Sequence, residues 1–403
     1  MKKTVIVGRL AKVSSCPLGA IAFLGVESCS WVAKQVFWGA EVELPGCYGL
    51  FGGFWAGLRV GCDGYIIGAK IKEGRGSVHY ELIWEIPNKE QIEERGLNSM
   101  ELKDVQAIDT MCRAGYAGIV TEEEWRYVWG FYESQACVKG TFGGVLKKLG
   151  VPEKDGWKVV ASSYKPSVAE MIKEMDEIGV EKAFVDQQFI WSRRESKLAT
   201  GFTIERIAEL VDKGKGRIVG GAGYNPFRIE ESLKDLEKAV KEHGFKYVWF
   251  HPNSFSVKAS DAKCYPLYAK CVELGIPVTF QTGQSAEPLP SEIGRPMYAD
   301  EVAMDFPNLI MVLTHTGWPW IDEWISMIWR HPNVYGNIGA YFPSGLNKPT
   351  IEFMDGPIGR AKVVWATNGF GLTRCKKEFV ELPLKDDNKK KILRDNAVNI
   401  FKL

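Results

Sequence analysis

The sequence predicts an α/β fold, a (β/α)8 TIM-like barrel preceded by a small antiparallel β-domain. From Val105 onward, short apolar runs alternate with helical patterns of about 10–15 residues, as they do in barrels of this type. Residues 1–88 have a different pattern, in which strand-sized apolar pieces are separated by glycines. From Val105 onward, polar residues follow most of the apolar runs. In a barrel these positions are the strand ends that form the ligand-binding mouth.

The first region, residues 1–88, is predicted to be an antiparallel sheet, because apolar and polar side chains alternate between its glycine-rich turns. Its predicted strands are Thr4–Val7, Gln35–Val42, Gly57–Val60, Tyr65–Ile71 and His79–Trp84. The segment 49–57 places three bulky rings among four glycines, which suits tight bends in a sheet core or a docking loop. A charged helical linker, residues 89–104, connects this region to the next.

The second region, residues 105–403, contains eight predicted strands with helices between them. The strands are Val105–Ile108, Ala183–Val185, Ile218–Ala222, Tyr247–Phe250, Pro277–Phe280, Ile310–Leu313, Val334–Gly336 and Val363–Ala366. The predicted helices include Thr203–Val211, Ile229–Glu242, Tyr265–Leu274, Ala299–Asp305 and Ile321–Trp329. Eight such strand and helix units are the repeat of a (β/α)8 barrel.

An open, doubly wound sheet has the same alternation, and the strand ends distinguish the two folds. No Gly-x-Gly-x-x-Gly sequence opens a helix after a strand, and the glycines near 220 are followed by Tyr224, Asn225 and Pro226, which do not form a dinucleotide-binding loop. In a barrel, the polar residues after the strands converge on one mouth. These residues are Thr110, Asp186, Gln187, Asn225, His251, Gln281, His315, Asn337 and Asn368.

The composition argues against partners that need a charged surface. The chain has 51 Lys+Arg against 50 Asp+Glu, a net charge of +1, so we expect neither nucleic acid nor an anionic membrane as a partner. Its apolar runs are far shorter than the roughly 20 residues of a membrane span. Nine cysteines without a Cys-x-x-Cys pair fit free thiols in the cytoplasm, and 14 tryptophans favour a large core or an oligomer interface.

The strand ends and some helix ends of residues 105–403 carry motifs that resemble the amidohydrolase-related family. The motifs are Ile108–Arg113, Phe250–Pro252, Leu274–Gly283, Asp305–Leu309, Thr314–Gly317, Arg330–Tyr335, Trp365–Asn368 and Asn396–Phe401. The family includes aminocarboxymuconate-semialdehyde decarboxylase and the resorcylate-type aromatic acid decarboxylases. The resemblance implies the barrel fold and places residues 1–88 outside the family.

The resemblance also implies a divalent metal site, and this chain departs from the family at the ligand positions. The family's first strand ends in Asp-x-His-x-His, and Met111 and Arg113 stand here at the two histidines. Gln281 stands at the histidine of the fifth strand and Asn368 at the aspartate of the eighth, whereas His315 retains the proton-transfer histidine of the sixth. Thioether, guanidinium and carboxamide groups are poor zinc or manganese ligands, so we expect no tightly held metal and no other cofactor.

An enzyme with this mouth needs chemistry that proceeds without a metal-activated water. We expect a small carboxylated substrate, cyclic or aromatic, whose carboxylate Arg113 binds while His315 transfers a proton in a decarboxylase, isomerase or hydrolase-like reaction. The predicted substrate-binding residues are His251, Gln281, Asn368, Asn337 and Met111. Cys112 is expected to point away from the mouth, because side chains alternate along a strand.

A second hypothesis makes the chain a non-catalytic pseudoenzyme, a structural or regulatory subunit of a complex. A barrel that has lost its metal ligands and kept its framework motifs is consistent with that role. On either hypothesis we expect an oligomer, formed by copies of this chain or with a paralogue. Four tryptophans after His315 belong either to the core or to an interface or lid: Trp318, Trp320, Trp324 and Trp329.

Overall fold

The computed structural model describes residues 102–149 and 152–403, together with the strands Ile6–Val7, Trp55–Leu58, Ile66–Gly74 and Ser77–Glu85. The chain divides into two compact units, residues 1–99 and 100–403. In the first unit the four strands form one antiparallel sheet, in the order Ile6–Val7, Ser77–Glu85, Ile66–Gly74, Trp55–Leu58. The predicted antiparallel sheet is confirmed in these strands. The predicted strand Gln35–Val42, most of the segment 49–57 and most of the linker 89–104 lie outside the described residues.

The second unit contains one sheet of eight parallel strands, as predicted. In chain order, and hereafter the first to eighth strands, they are Ala107–Asp109, Val180–Asp186, Ile218–Gly223, Tyr247–Phe250, Val278–Phe280, Met311–Leu313, Val334–Asn337 and Val363–Val364. Each pairs with the next in the chain. The backbone N–H of Thr110 donates to the carbonyl of Trp365 at 3.2 Å, which links the chain just after the first and eighth strands. The architecture is therefore a TIM-like α/β barrel.

Helices follow the strands, and local sequence explains where several of them begin and end. The helix Ile204–Lys213 begins where the hydroxyl of Thr203 accepts the backbone N–H of Arg206 at 3.3 Å, and Tyr265–Leu274 ends at Gly275, whose φ is +68°. The α-helices are Glu122–Trp129, Tyr132–Leu149, Trp157–Ser162, Val168–Ile178, Ile204–Lys213, Ile229–His243, Pro252–Phe255, Tyr265–Leu274, Ala299–Asp305, Ile321–Arg330, Lys348–Asp355, Gly359–Lys362, Leu372–Val380, Asp386–Lys390 and Asn396–Phe401. Among the described residues, none of the helices has the length and apolar character of a membrane span.

Apolar side chains form two layers, one inside the barrel and one between the strands and the helices. Inside, the rings of Phe184, Tyr247 and Trp249 are buried. The last helix, Asn396–Phe401, packs into this layer, with the ring of Phe401 centred 4.7 Å from that of Phe184. The barrel interior is therefore a packed core that supports the strand ends above it.

A buried carboxylate joins the first strand to the residues after the eighth. Oδ1 of Asp109 accepts the backbone N–H groups of Met111 at 3.1 Å and of Thr367 at 3.0 Å, and the hydroxyl of Thr367 donates to Oδ2 at 2.6 Å. Burial raises the pKa of Asp109, and these hydrogen bonds act against that rise. Asp109 is thus committed to the framework of the barrel.

A buried ammonium group holds the opposite end of the strands. Lys376 lies on the helix Leu372–Val380 and is completely buried. Its Nζ donates to the backbone carbonyls that precede the first and second strands, those of Leu102, Val105, Ile178 and Gly179. The charge therefore lies among carbonyl dipoles, which orient toward a cation.

Two insertions extend the chain at the strand ends where the polar residues lie. Residues 110–179 separate the first and second strands, and an antiparallel hairpin, Ile190–Ser192 with Lys197–Thr200, follows the second. Glu133, in the first turn of the helix Tyr132–Leu149, accepts the hydroxyl of Ser192 at 3.1 Å and so ties this hairpin to the first insertion.

The tryptophans after His315 have different environments. Trp324 is buried, and its Nε1 donates to the carbonyl of Leu313 at 2.9 Å, so it belongs to the core. Trp318 and Trp329 are 47% and 68% exposed. The core interpretation therefore holds for Trp324 and does not extend to Trp318 or Trp329.

Candidate active site

The first and fourth strands bring Arg113 onto the ring of Trp249. Arg113 is only 6% exposed, and its guanidinium carbon lies 4.1 Å from the centre of the Trp249 ring. A cation at this distance from an indole face is attracted by the negative charge of the ring's π-system. The site therefore contains a permanent positive charge in a fixed position.

Polar side chains hold the same guanidinium from its edges. Nε of Arg113 donates to Oδ1 of Asn368 at 2.7 Å, and Nη1 lies 3.4 Å from both carboxylate oxygens of Asp186. Asp186 is buried and also accepts the hydroxyl of Tyr247 at 3.1 Å. Burial raises the pKa of Asp186, and the charge of Arg113 opposes that rise. Within the described part of the chain, Nη2 of Arg113 makes no hydrogen bond, so it can donate to a ligand.

His315 lies beside this cation, in the turn after the sixth strand. Its side chain is 5% exposed, and Nε2 has no hydrogen-bond partner among the described residues. Burial lowers the pKa of His315 well below its usual range, and the charges of Arg113 and His251 lower it further, while a hydrogen bond with Asn368 acts in the opposite direction. The imidazole is therefore neutral at pH 7, and its Nε2 makes no hydrogen bond to another described group.

His251, after the fourth strand, is held in one tautomer. The backbone N–H of Ser254 donates to Nδ1 at 3.1 Å, so the proton of the neutral ring lies on Nε2. Nε2 is 3.4 Å from the hydroxyl oxygen of Ser285, and that hydroxyl donates to Glu287. Burial lowers the pKa of His251 to about 4, with Glu287 raising and Arg113 lowering it. His251 is therefore placed as a hydrogen-bond donor.

Three residues of the site adopt the left-handed backbone conformation that non-glycine residues seldom adopt. The φ angles are 77° for Arg113, 63° for His315 and 55° for Asn368. Such conformations cost roughly 1–3 kcal/mol each and persist where the surrounding structure imposes them. Their concentration at the ends of the first, sixth and eighth strands marks this place as a candidate functional site.

The remaining predicted substrate-binding residues are arranged differently. Met111 is buried in the barrel interior, and its backbone carbonyl accepts the N–H of Asn368 at 2.7 Å. Nε2 of Gln281 donates to the backbone of Thr282, and Asn337 is bonded to the hydroxyl of Thr110 at 2.9 Å. Among the described residues, no hydrogen bond joins the side chains of Met111, Gln281 or Asn337 to Arg113 or His315.

Cys112 lies between the strands and the helices, in the layer outside the barrel. This is the orientation that strand alternation predicts. Burial raises the pKa of the thiol well above its usual value, and the nearby carboxylate of Asp109 acts in the same direction. The thiol therefore stays protonated, which argues against a nucleophilic role.

A divalent metal does not fit the side chains present. Arg113 lies where the resemblance places a ligand, and a guanidinium has no lone pair to offer and repels a cation. Asn368, at a second ligand position, already accepts a hydrogen bond from Arg113 through its oxygen. Within residues 102–149 and 152–403, no three His, Cys, Asp or Glu side chains are grouped so as to hold a metal ion.

Trp249 is missing from the predicted site, and Asp186 was predicted at the mouth of the barrel but not as a catalytic or substrate-binding residue. Asp186 ends the second strand, and Trp249 lies two residues before His251. Because side chains alternate along a strand, Trp249 and His251 point to the same face, and that period was the available signal. The burial of Asp186 against Arg113 had no local signal in the sequence.

Many solved structures resemble the barrel, among them the following three. An uncharacterized TIM-barrel protein from Bordetella bronchiseptica is 21% identical, with 74% of this chain and 98% of that chain covered and a TM-score of 0.56. Dihydroxybenzoic acid decarboxylase from Polaromonas sp. JS666, with bound manganese and 2-nitroresorcinol, is 18% identical, with 74% and 97% covered and a TM-score of 0.51. 5-Carboxyvanillate decarboxylase from Sphingomonas paucimobilis is 12% identical, with 74% and 99% covered and a TM-score of 0.51. At these identities the likeness shows the fold.

The sequence comparisons agree with the structural ones. None of the curated proteins is similar enough in sequence to count as a match. The model of the amidohydrolase family matches residues 178–403, which are more than half of the chain. This part contains the second to eighth strands and His315, whereas Arg113 precedes it. The chain belongs to the amidohydrolase family.

Proposed function

We propose that this chain is an enzyme that acts on a small carboxylated substrate, cyclic or aromatic, by proton transfer that requires no metal. The observation that carries the proposal is the pairing of a fixed, buried guanidinium, Arg113, with a neutral imidazole, His315, at the strand ends. A guanidinium is the side chain best suited to bind a carboxylate through directed hydrogen bonds. Such a site lies where enzymes with this fold bind their ligands.

Substrate binding changes the basicity of His315. In the free protein, burial lowers the pKa of this imidazole, and the charge of Arg113 lowers it further. A carboxylate bound to Arg113 compensates that charge, so the pKa of His315 rises in the complex. In a decarboxylation, the bond from carbon to CO2 breaks and leaves its electron pair on the carbon. That carbon then takes a proton from His315, which the imidazole has bound from solvent in the complex. In an isomerisation, the imidazole removes a proton from one carbon and returns it to another.

The names of two similar structures are consistent with this substrate class, because dihydroxybenzoic acid and 5-carboxyvanillate are both aromatic acids. The decarboxylase from Polaromonas contains manganese. Met111, Arg113, Gln281 and Asn368 give this chain a different set of side chains at the ligand positions, so the proposed chemistry relies on the guanidinium instead.

The test is turnover of cyclic and aromatic carboxylates by protein dialysed against EDTA, followed by proton NMR in D2O. We expect loss of CO2, or deuterium entry at carbon, with the wild-type protein. We expect His315→Asn to lower the rate by about a hundredfold or more, which is the usual contribution of a positioned acid or base. Full activity in His315→Asn, or activity that requires added zinc or manganese, contradicts the proposal.

A second candidate function, a pseudoenzyme subunit, is favoured by the internal pairing of Arg113 with Asp186 and Asn368. A guanidinium that already donates hydrogen bonds to side chains of its own protein can have a purely structural role. In that case, the exposed ring of Trp329 fits a contact with a second copy or a paralogue. Light scattering of wild-type and Trp329→Ser protein tests this contact, and a monomer at all concentrations in both contradicts it.

We also propose that the protein is located in the cytoplasm.

A further inference from the structure

Tyr164 lies in the first insertion, residues 110–179, between the helices Trp157–Ser162 and Val168–Ile178. It precedes the region that the family model matches. Its ring is fixed by aromatic neighbours, with centroids 5.6 Å from Trp125 and 5.9 Å from Tyr116. A Cβ added to Gly115 would lie only 2.8 Å from the ring, so the ring packs directly on that backbone. The direction of the phenol is therefore set by the core.

The hydroxyl end of this ring reaches the wall of the candidate site. A Cβ added to Gly369 would lie 3.6 Å from the phenol oxygen of Tyr164 and 3.8 Å from Cβ of Arg113. Gly369 follows Asn368, which binds the guanidinium of Arg113. The phenol and Arg113 thus flank the same backbone at the end of the eighth strand.

Tyr164 is half-buried, and its hydroxyl makes no hydrogen bond within the described part of the chain. The hydroxyl is not among the buried polar atoms that lack a partner, so it remains accessible to a ligand. Burial raises the pKa of Tyr164 to about 12, and the charge of Arg113 opposes that rise. The phenol is therefore protonated at neutral pH, and among the described residues its O–H is free to donate to a ligand.

We propose that Tyr164 is a substrate-binding residue, which donates a hydrogen bond to the carboxylate that Arg113 binds. This inference rests on the proposed function, because it assigns a second donor to the same carboxylate. Two donors of different geometry, one on the guanidinium and one on a rigid phenol, orient the carboxylate as well as attract it. Tyr164 thereby helps to select the angle at which the substrate ring faces His315.

The experiment is calorimetric titration of the full chain with benzoate, an aromatic carboxylate probe. We expect Tyr164→Phe, which keeps the ring, to weaken benzoate binding about tenfold to a hundredfold, as expected for a lost hydrogen bond to a charged group. The melting temperature should stay unchanged, because the deleted hydroxyl bonds to no described residue. Tyr132→Phe, in an exposed tyrosine, is the matched control and should bind as the wild type does.

Each outcome separates the two proposals. Equal benzoate affinity in wild type and Tyr164→Phe, with binding lost in the double variant Arg113→Met with Asp186→Asn, overturns the role of Tyr164 and supports the carboxylate site. Weak binding in Tyr164→Phe together with a lower melting temperature also overturns it, because the phenol is then structural. Absence of benzoate binding in the wild type overturns the proposed carboxylate site itself.

Discussion

Nε of Arg113 donates to Oδ1 of Asn368 at 2.7 Å, across 255 residues of sequence. The bond joins the chain after the first strand to the chain after the eighth, where the barrel closes. Both residues adopt positive φ angles, 77° and 55°, so the contact depends on two unusual backbone conformations at once. It also holds the site's cation close to His315, whose pKa is lowered by burial and by the charge of Arg113 and raised by Asn368.

The pair of Arg113 and Asp186 predicts how the fold responds when one charge is removed. Arg113→Met leaves the Asp186 carboxylate buried and unpaired, so we expect a loss of about 3–5 kcal/mol in the free energy of unfolding. The double variant Arg113→Met with Asp186→Asn should recover most of this loss. Urea unfolding measures both. If the single variant is as stable as the wild type, the ion pair contributes nothing to the fold.

The same double variant separates structure from function. It is expected to fold and to lack carboxylate binding, since the guanidinium is gone. Turnover equal to that of the wild type would show that Arg113 only supports the barrel.

The buried histidines predict lower stability in acid. Burial lowers the pKa of both His315 and His251 in the folded protein, whereas the unfolded chain has values near 6.5. Below that pH the unfolded state binds more protons, so the free energy of unfolding falls by up to about 1.4 kcal/mol per pH unit for each histidine. His315→Asn should reduce this slope between pH 6.5 and 4.5. Identical slopes in the two proteins would contradict the lowered pKa.

Asn368→Asp adds a negative charge beside His315 and Arg113. An anion favours the protonated imidazole, so the pKa of His315 should rise. Proton NMR of the His315 ring during a pH titration measures the shift directly, and Lys377→Asp, on an exposed helix position, is a control for the change in net charge. An unchanged titration would mean that Asn368 does not contact the imidazole.

Asn368→Asp should not create a metal site, because Met111, Arg113 and Gln281 still occupy the other ligand positions. We expect elemental analysis to find no stoichiometric zinc or manganese in the wild type or in this variant. Near-stoichiometric metal in the wild type would overturn the proposed metal-independent chemistry.

We expect substitution of Lys376, which is far from the site, to lower the stability of the fold strongly. Lys376→Met removes the donor that four backbone carbonyls share, two of them in buried hydrogen bonds, so we expect a loss of about 2–4 kcal/mol in the free energy of unfolding. Lys377→Met, its exposed neighbour on the same helix, should change stability by less than about 0.5 kcal/mol. Thermal unfolding compares the two. Equal melting temperatures would show that the carbonyls find other donors.

Local sequence patterns predicted the barrel well, because apolar residues repeat with a different spacing in strands than in helices. The helices Tyr265–Leu274 and Ala299–Asp305 have the predicted ends, and the fourth strand coincides with the predicted Tyr247–Phe250. The predicted end of the eighth strand, Ala366, differs from the observed end at Val364. There the backbone N–H of Trp365 donates to the carbonyl of Ile392 in the C-terminal helical segment instead of continuing the ladder.

The structure brings together only some of the residues that the sequence predicts for the site. Arg113, His315 and Asn368 come together as strand ends of one barrel must, whereas Gln281 and Asn337 bond to neighbouring framework groups. Asn337 ends the seventh strand, but its amide donates to the hydroxyl of Thr110, which follows the first strand. A residue's position at a strand end therefore does not determine which partner its side chain takes.

The amino-acid sequence by itself determined the repeated strand and helix units and the polar residues at the strand ends, because these are properties of periodicity and residue type. Only the tertiary structure decided that Arg113 stacks on Trp249, pairs with buried Asp186 and lies near Tyr164. Those contacts join side chains from distant parts of the chain, and their energies depend on burial and angle. Neither quantity exists until the barrel has closed.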